Sequence, residues 1–240
     1  MGKRIYKLDE TFFDIINTEE KAYILGFIAA DGHNSLKKKI QIVLNEKDID
    51  ILEKISSRMY LEKYDNIKKF DSKQNLRGEE KIHKHAKLII CSAKLSDRLL
   101  ELGLNNKKSA TLEFPDWLNK DLIKHYVRGY FDGDGSIYLF KEKTVPKAML
   151  NVISSIMFID SLGILLKDEL KINFHKTYPS KGMAVLNCKG TQQCYSILNW
   201  MYIDSKIYLN RKFAVFKELE NYLIKYGRGG IKRYNIKINV

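Results

Sequence analysis

Two Asp-Gly pairs, Asp31-Gly32 and Asp134-Gly135, each follow a glycine five residues upstream of the aspartate. Residues 22–36 read Ala-Tyr-Ile-Leu-Gly-Phe-Ile-Ala-Ala-Asp-Gly-His-Asn-Ser-Leu, and residues 125–137 read His-Tyr-Val-Arg-Gly-Tyr-Phe-Asp-Gly-Asp-Gly-Ser-Ile. Gly26 matches Gly129, Asp31 matches Asp134 and Gly32 matches Gly135, all at an offset of 134 − 31 = 103. Glycine costs about 1 kcal/mol in a helix interior relative to alanine. Yet Gly26 with Ala30, and Gly129 with Gly133, set small residues four apart on one helical face, where two backbones can approach closely. If two such helices pack about a pseudo-twofold axis, Asp31 and Asp134 meet at their C-terminal ends. The helix dipole is negative there and the two carboxylates repel. A divalent cation with hard oxygen ligands relieves both effects, and such an ion organises phosphodiester hydrolysis. An Asp-Gly pair can also simply end a helix, with glycine taking the left-handed cap. Two copies, each after a stripe of small residues, favour the chemical reading.

The elements that position these residues repeat too. Leu88-Ile89-Ile90-Cys91 recurs loosely as Val185-Leu186-Asn187-Cys188, and Leu104-Asn105-Asn106-Lys107 recurs as Leu209-Asn210-Arg211-Lys212. Preserved order with drifting offsets is what loop insertions in a duplicated unit produce. Each half predicts a helix, about 19–31 and 121–133, running into a hairpin whose second arm alternates, as in Lys39–Leu44 and Lys147–Ile153. A helix follows (Ile49, Leu52, Ile55 and Met59; Phe158, Leu162 and Leu165), then a second strand pair ending at 87–91 and 183–188. A further helix carries Leu95, Leu99 and Leu102, matched by Cys194, Leu198 and Met201; a last one, about 210–226, aligns Phe213, Phe216, Leu219 and Leu223. The unit is αββαββα, an α+β pattern. The expected organisation is a half at 1–112, a linker at 113–120 around Phe114-Pro115-Asp116-Trp117, a second half at 121–226 and a basic, Gly-rich tail at 227–240.

The segments Ile24-Leu25-Gly26-Phe27-Ile28-Ala29-Ala30-Asp31-Gly32 and Val127-Arg128-Gly129-Tyr130-Phe131-Asp132-Gly133-Asp134-Gly135 resemble the paired signature motifs of the LAGLIDADG homing endonucleases in single-chain form. The resemblance implies pseudo-twofold duplicated half-domains, two antiparallel saddle sheets straddling duplex DNA, and a central interface of the two motif helices. It implies a monomer that cleaves both strands at a specific, long and partly asymmetric site, using Mg²⁺ or Mn²⁺ in its place. The metal set it implies is Asp31 and Asp134, with Gly32 and Gly135 beside them. Two positions depart from the pattern: Ala29 stands where Asp132 stands in the second half, and Arg128, expected at the helix surface, replaces a small or apolar residue.

Phosphodiester cleavage also needs cations for developing charge and polar groups to place water. At the first hairpin's strand end these are Gln41, Asn45, Glu46 and Lys47; before the last helices they are Asn105 and Lys107, matched by Asn210, Arg211 and Lys212. The catalytic set is accordingly Asp31, Asp134, Gln41, Lys47, Lys107 and Lys212. DNA contacts are expected from Lys68, Lys69, Lys73, Gln74, Asn75, Arg77, Lys81, His83 and His85 in the first half. In the second half they are expected from Tyr138, Lys141, Lys143, Lys147, His175, Lys176 and Lys181. Lysines set affinity through phosphates, whereas Arg, Gln and Asn can read base edges. His83 and His85 with Cys91 lack a fourth ligand in zinc spacing, and Cys188 and Cys194 read as small buried residues.

The whole composition agrees with a polyanionic partner. The 240 residues carry 42 Lys+Arg against 29 Asp+Glu, a net charge of +13. At 45% hydrophobic the chain can bury a core, which excludes wholesale disorder. Three cysteines make no disulfide framework and point to a reducing, intracellular compartment, and no apolar run of membrane length exists. A free-standing or intron-encoded enzyme fits this length better than an intein, which needs splicing segments at both ends. The rival readings on the same scaffold are a maturase binding intron RNA and a DNA-binding regulator without catalysis.

Overall fold

Two helices facing each other through small residues form the centre of the computed structural model, which describes residues 7–35, 38–62, 65–76, 79–105, 110–142 and 145–226. Helix α1 (Glu19–Asp31) starts where the Thr18 hydroxyl accepts from the Lys21 N–H, with Glu19 and Glu20 at the positive end of its dipole. Every residue from Ala22 to Ala29 is buried, the pattern of a helix covered on all sides. After α1 come β1 (Gly32–Ser35), β2 (Lys39–Asn45), a 3-10 turn (Glu46–Asp48), α2 (Ile49–Met59), β3 (Ile67–Leu76), β4 (Glu79–Cys91) and α3 (Ala93–Glu101). The second half follows the same order: α4 (Lys120–Asp134), β5 (Gly135–Glu142), β6 (Val145–Ser155), α5 (Ile156–Leu170), β7 (His175–Ser180), β8 (Met183–Lys189) and α6 (Thr191–Tyr202). Helix α7 (Asn210–Tyr226) is added at the end and stacks Phe216 on Tyr195 and Tyr202 of α6.

Each half builds one four-stranded antiparallel sheet, ordered β1-β2-β4-β3 and β5-β6-β8-β7. The inner faces, with Ile40, Ile42, Ala86, Leu88 and Ile90 in one sheet and Ala148, Leu150, Val152, Leu186 and Cys188 in the other, are buried. Helices α2 and α3 cover the first sheet, α5 and α6 the second. Because side chains alternate along a strand, the remaining positions face away from the helices. The fold is α+β, as the pattern of the sequence predicts.

The helix pair shows why its glycines are there. A Cβ at Gly26 would collide with the Tyr126 carbonyl oxygen, and one at Gly129 would collide with that of Tyr23. Tyr126 and Tyr23 are themselves related by the offset 126 − 23 = 103, so the contact is reciprocal about the pseudo-twofold axis. A Cβ at Gly133 would meet that of Ala30, so all four small residues of the stripes lie in the interface. Gly32 and Gly135 do not take the left-handed cap. Their backbones are extended (φ −75° and −84°), and their N–H groups donate to Ile28 and Phe131. Each helix passes directly into a strand, and a side chain there would strike the preceding helical turn, 2.5 Å from the Ile28 oxygen or 2.6 Å from that of Phe131.

Arg128 corrects an expectation. It is fully buried rather than on the helix surface. Its guanidinium donates to the carbonyls of Ile207 (3.0 Å) and Met201 (2.8 Å), to His125 Nδ1 (2.8 Å) and to Glu19 Oε1 (2.7 Å). The fork of five donors suits a site offering two orphan carbonyls and a carboxylate, and it ties the start of α1 to α4 and the segment after α6. None of the described helices is long and apolar enough to cross a membrane.

Candidate functional site

Asp31 and Asp134 sit at the adjoining C-terminal ends of α1 and α4. A Cβ at Gly133 would lie 3.2 Å from Asp31 Oδ2, which places the Asp31 carboxylate against the last turn of α4. Both carboxylates act electrostatically on the same ammonium, that of Lys212. The Tyr130 hydroxyl, donating to the Ile153 carbonyl (3.0 Å) and accepting from the Ser154 hydroxyl (2.8 Å), has its pKa raised by burial and further by Asp134 beside it.

Lys212 is placed otherwise than its spacing suggested. It is buried, and its ammonium donates to the carbonyls of Phe131, Asp132 (2.9 Å) and Gly135 (2.6 Å). It thus caps the negative end of α4, using all three donors. Burial pushes its pKa down to about 8, against the pull of Asp132, Asp31 and Asp134. Asp132 is buried under it, accepting from the Tyr23 hydroxyl (2.7 Å), the Tyr202 hydroxyl and the Leu209 N–H (2.8 Å); burial raises its pKa despite these partners. This network holds the last turn of α4, and Asp134 with it. The amide after Leu209, Asn210, accepts from Lys54 (2.7 Å), and Arg211 pairs with Asp48 (2.9 Å) in the 3-10 turn of the other half. Those contacts make Asn210 and Arg211 braces between the halves rather than free polar groups.

The sheet register carries the rest. Gly32 pairs with Ile42 and Gly135 with Val152, so Gln41 (opposite His33) and Asn151 (opposite Ser136) are structural equivalents beside the two carboxylates. Asn151 is a site residue that sequence comparison missed, since its offset from Gln41 is 151 − 41 = 110 rather than 103. Its Oδ1 is buried without a hydrogen-bond partner. The same register equates Lys47, exposed after β2, with Met157.

The register also divides the proposed binding residues. Lys68, Gln74, Lys81, His83 and His85 share the outer face with Gln41, Val43 and Asn45. Lys69, Lys73 and Asn75 alternate to the opposite face, where Lys69 pairs with Glu46 (2.8 Å) and Lys73 with Glu80 (2.7 Å). In the second sheet Tyr138, Lys147 and His175 are outward, while Lys176 faces α5 and pairs with Asp160. Lys181 is exposed in the turn between β7 and β8. Arg77, Lys107, Lys143 and the tail lie outside the described residues, and of Lys141 only the backbone, in β5, is described. Sequence reasoning also passed over outward Lys39, which lies opposite Cys91.

Two carboxylates at adjoining helix ends suit a hard cation such as Mg²⁺, which binds through one or two carboxylates and fills its shell with water and substrate phosphate. Among the described residues no three His, Cys, Asp or Glu side chains converge, so a transition-metal cage is not what the donors offer. Gly135 is a poorer ligand than expected, because its oxygen already receives the Lys212 ammonium.

No protein-family model matches the chain. The DNA-directed RNA polymerase subunit Rpo1C of Methanocaldococcus jannaschii is 28% identical over 152 residues, 60% of this chain, and the chain spans only 15% of that relative. Among solved structures, the homing endonuclease I-WcaI bound to its DNA recognition sequence matches with a TM-score of 0.54 at 15% identity, covering 83% of this chain and 91% of that one. The LAGLIDADG homing endonuclease I-GzeII in complex with its DNA target matches with a TM-score of 0.50 at 14% identity, covering 88% and 94%. The chain has the LAGLIDADG homing-endonuclease fold.

Proposed function

We propose that this chain, built on the LAGLIDADG fold, is a site-specific endonuclease that hydrolyses both strands of duplex DNA with Mg²⁺ held by Asp31 and Asp134. The carrying observation is the pair of carboxylates at the adjoining C-termini of two helices packed glycine to carbonyl. A merely structural role gives no reason to hold two anions at two negative helix ends. The solved structures of the same fold that are bound to DNA support a duplex between the two sheets. So do the net charge of +13 and the outward Lys39, Lys68, Lys81, Lys87, Lys147 and Lys189. When bound, Mg²⁺ supplies Lewis-acid stabilisation of the phosphoryl oxygens and an acidified water.

The chain's own residues do the rest. The Gln41 and Asn151 amides stand on the outer face beside each carboxylate, where they orient a water for in-line attack. The exposed Lys47 ammonium offsets charge developing on the phosphate. Lys212 acts one step back: by capping α4 it keeps Asp134 in register with Asp31. The enzyme works as a monomer, since one chain supplies both halves.

The test is cleavage of a randomised duplex library in Mg²⁺, alongside duplex binding. Asp31→Asn and Asp134→Asn each abolish double-strand cleavage and leave binding within a few-fold of the parent chain. Undiminished cleavage by the double variant refutes the mechanism. Preference for structured RNA over duplex DNA at matched salt favours a maturase instead.

A further inference from the structure

The two outward sheet faces differ in chemistry. On the first, Lys39, Lys68, Lys81 and Lys87 stand among His33, His83, His85, Gln41, Asn45 and Gln74. Of its exposed apolar side chains, Val43 is small and Phe70 is taken up by the His85 ring stacked on it (5.2 Å) and the Lys87 ammonium over it (5.0 Å). On the second, Tyr138 lies directly opposite Met149 and Phe140 opposite Lys147, while Ile153 lies opposite Val185. Tyr138 is 52% exposed and Phe140 47%, two large rings at successive outward positions of β5 with Met149 beside Tyr138, whereas Ile153 stands apart, four residues along β6 from Met149. Apolar side chains grouped on an exposed face mark a contact surface. Lys147 and Lys189 flank the Tyr138–Met149–Phe140 group, which sets an apolar centre inside a cationic rim. That complements a duplex groove, whose phosphates run along both edges of the bases. The apolar group that a base edge presents in the major groove is the C5-methyl of thymine.

We propose that the second sheet reads its half-site through 5-methylpyrimidine groups, with Tyr138, Phe140 and Met149 as the specificity-determining contacts, whereas the first sheet, where Phe70 is engaged by His85 and Lys87, reads mainly by polar and charged groups. The proposal rests on the DNA-binding reading above. Along β5, Tyr138 and Phe140 lie three and five residues beyond Gly135, about 10 and 17 Å at the usual strand rise. At about 3.4 Å per base pair this places the methyl-reading positions roughly three to five pairs from the cleavage centre.

The experiment uses the full chain in chelator, so that binding is measured without cleavage. Bound duplexes are selected from a randomised library, and each thymine of the consensus is then replaced singly by deoxyuridine, which lacks only the methyl. Thymine is enriched three to five pairs from the centre of one half-site, and each replacement there weakens binding about fourfold, the effect of one buried methyl. Replacements in the other half-site change binding less than twofold. Tyr138→Ser and Phe140→Ser, both at exposed positions that the fold tolerates, erase the methyl dependence and leave the other half-site's preferences unchanged. 5-Methylcytosine at the same positions restores part of the lost affinity. Specific binding that is indifferent to deoxyuridine in both half-sites overturns the proposal, and so does methyl dependence that survives both serine variants. Concentration-dependent dimerisation without DNA that Tyr138→Ser abolishes assigns the face to a second copy and also overturns it. Absence of any duplex binding overturns the DNA reading itself.

Discussion

Replacing Gly26 or Gly129 by alanine tests whether the helix interface, rather than general helix stability, sets the site. A Cβ at Gly26 would stand 2.9 Å from the Tyr126 carbonyl carbon and closer still to its oxygen; at Gly129 it would stand 2.9 Å from the Phe27 nitrogen. Ordinary contacts need about 3.5–4.0 Å, and the carbonyl oxygen is the nearest atom in both cases, so α1 and α4 must part by roughly 1 Å or more at the crossing. A gap of that size forfeits about half of the dispersion well for each facing pair, and overpacking of this kind costs about 3 kcal/mol at the upper end of its usual range. Alanine returns about 1 kcal/mol through helix propensity, leaving a net loss of about 2 kcal/mol for each variant. For a chain of this length that lowers Tm by roughly 4–8 °C. One opening of the interface relieves both clashes, so the double variant loses less than the sum.

Gly163, inside α5, is the control. Its nearest neighbours to an added Cβ are Lys176 Cε at 3.6 Å and Leu186 Cδ1 at 3.7 Å, ordinary contacts, so Gly163→Ala stabilises by up to about 1 kcal/mol. Urea denaturation of the three variants reads the opposite signs directly. Cleavage falls more steeply than binding in Gly26→Ala, because parting the helices moves Asp31 from Asp134 before it disturbs the sheets. The reasoning fails if Gly26→Ala matches the parent chain in stability, or if Gly163→Ala is destabilised by the same amount.

Two further outcomes follow from the buried charges. Arg128→Leu, the residue type that Leu25 supplies at the matching place in α1, strands the Met201 and Ile207 carbonyls and the Glu19 carboxylate. It destabilises by about 3–5 kcal/mol, and adding Glu19→Leu recovers part of that, as the urea midpoints will show. His125, pushed down to about 4 by burial and then by Arg128 and Lys124, stays neutral in the fold while the unfolded chain takes up a proton below about 6.5. Stability therefore falls as pH drops from about 6.5 to about 4, by about 2 kcal/mol once partial solvent access to the ring is allowed for. His125→Gln flattens thermal denaturation curves recorded across that window.

The helix pair and the aspartates were legible in the sequence because their signals are local and duplicated. Small residues four apart and an Asp-Gly stop declare a close helix crossing, and a second copy at a constant offset declares its symmetry. Arg128 and Lys212 were not legible in that way. Both are long cations whose partners are backbone carbonyls far along the chain, Met201 and Ile207 for the one, Phe131 and Gly135 for the other. Sequence types a cation but not the orphan carbonyls it will cap, so a solvated face and a buried brace look alike until the chain is folded. Asn151 was hidden for a different reason: the hairpin loops differ in length, and the pairing of Gly135 with Val152, not the sequence offset, makes it the counterpart of Gln41.

The division of the lysines between two faces shows where alternation stops being readable. Near the helices, buried Ile40, Ile42, Ala86, Leu88 and Ile90 mark one face, and their neighbours must be outward. In the far part of the β3–β4 hairpin the apolar marker disappears, since both faces are solvated and both carry charge. Only the register continued from Ile67–Leu88 assigns Lys68 and Gln74 to one side and Lys69, Lys73 and Asn75 to the other. Lys69 and Lys73 are each already matched by a carboxylate, Glu46 and Glu80, so neutralising them removes a surface ion pair worth little in water. Outward Lys68 and Lys81 face the other way, toward where a duplex would lie. Each lysine that meets a phosphate adds about one unit to the salt dependence of DNA affinity, and a lysine on the far face adds almost none. Lys68→Gln and Lys81→Gln are therefore expected to flatten the log-affinity against log-salt line by about one unit each. Lys69→Gln and Lys73→Gln leave that slope in place, although all four substitutions remove the same formal charge.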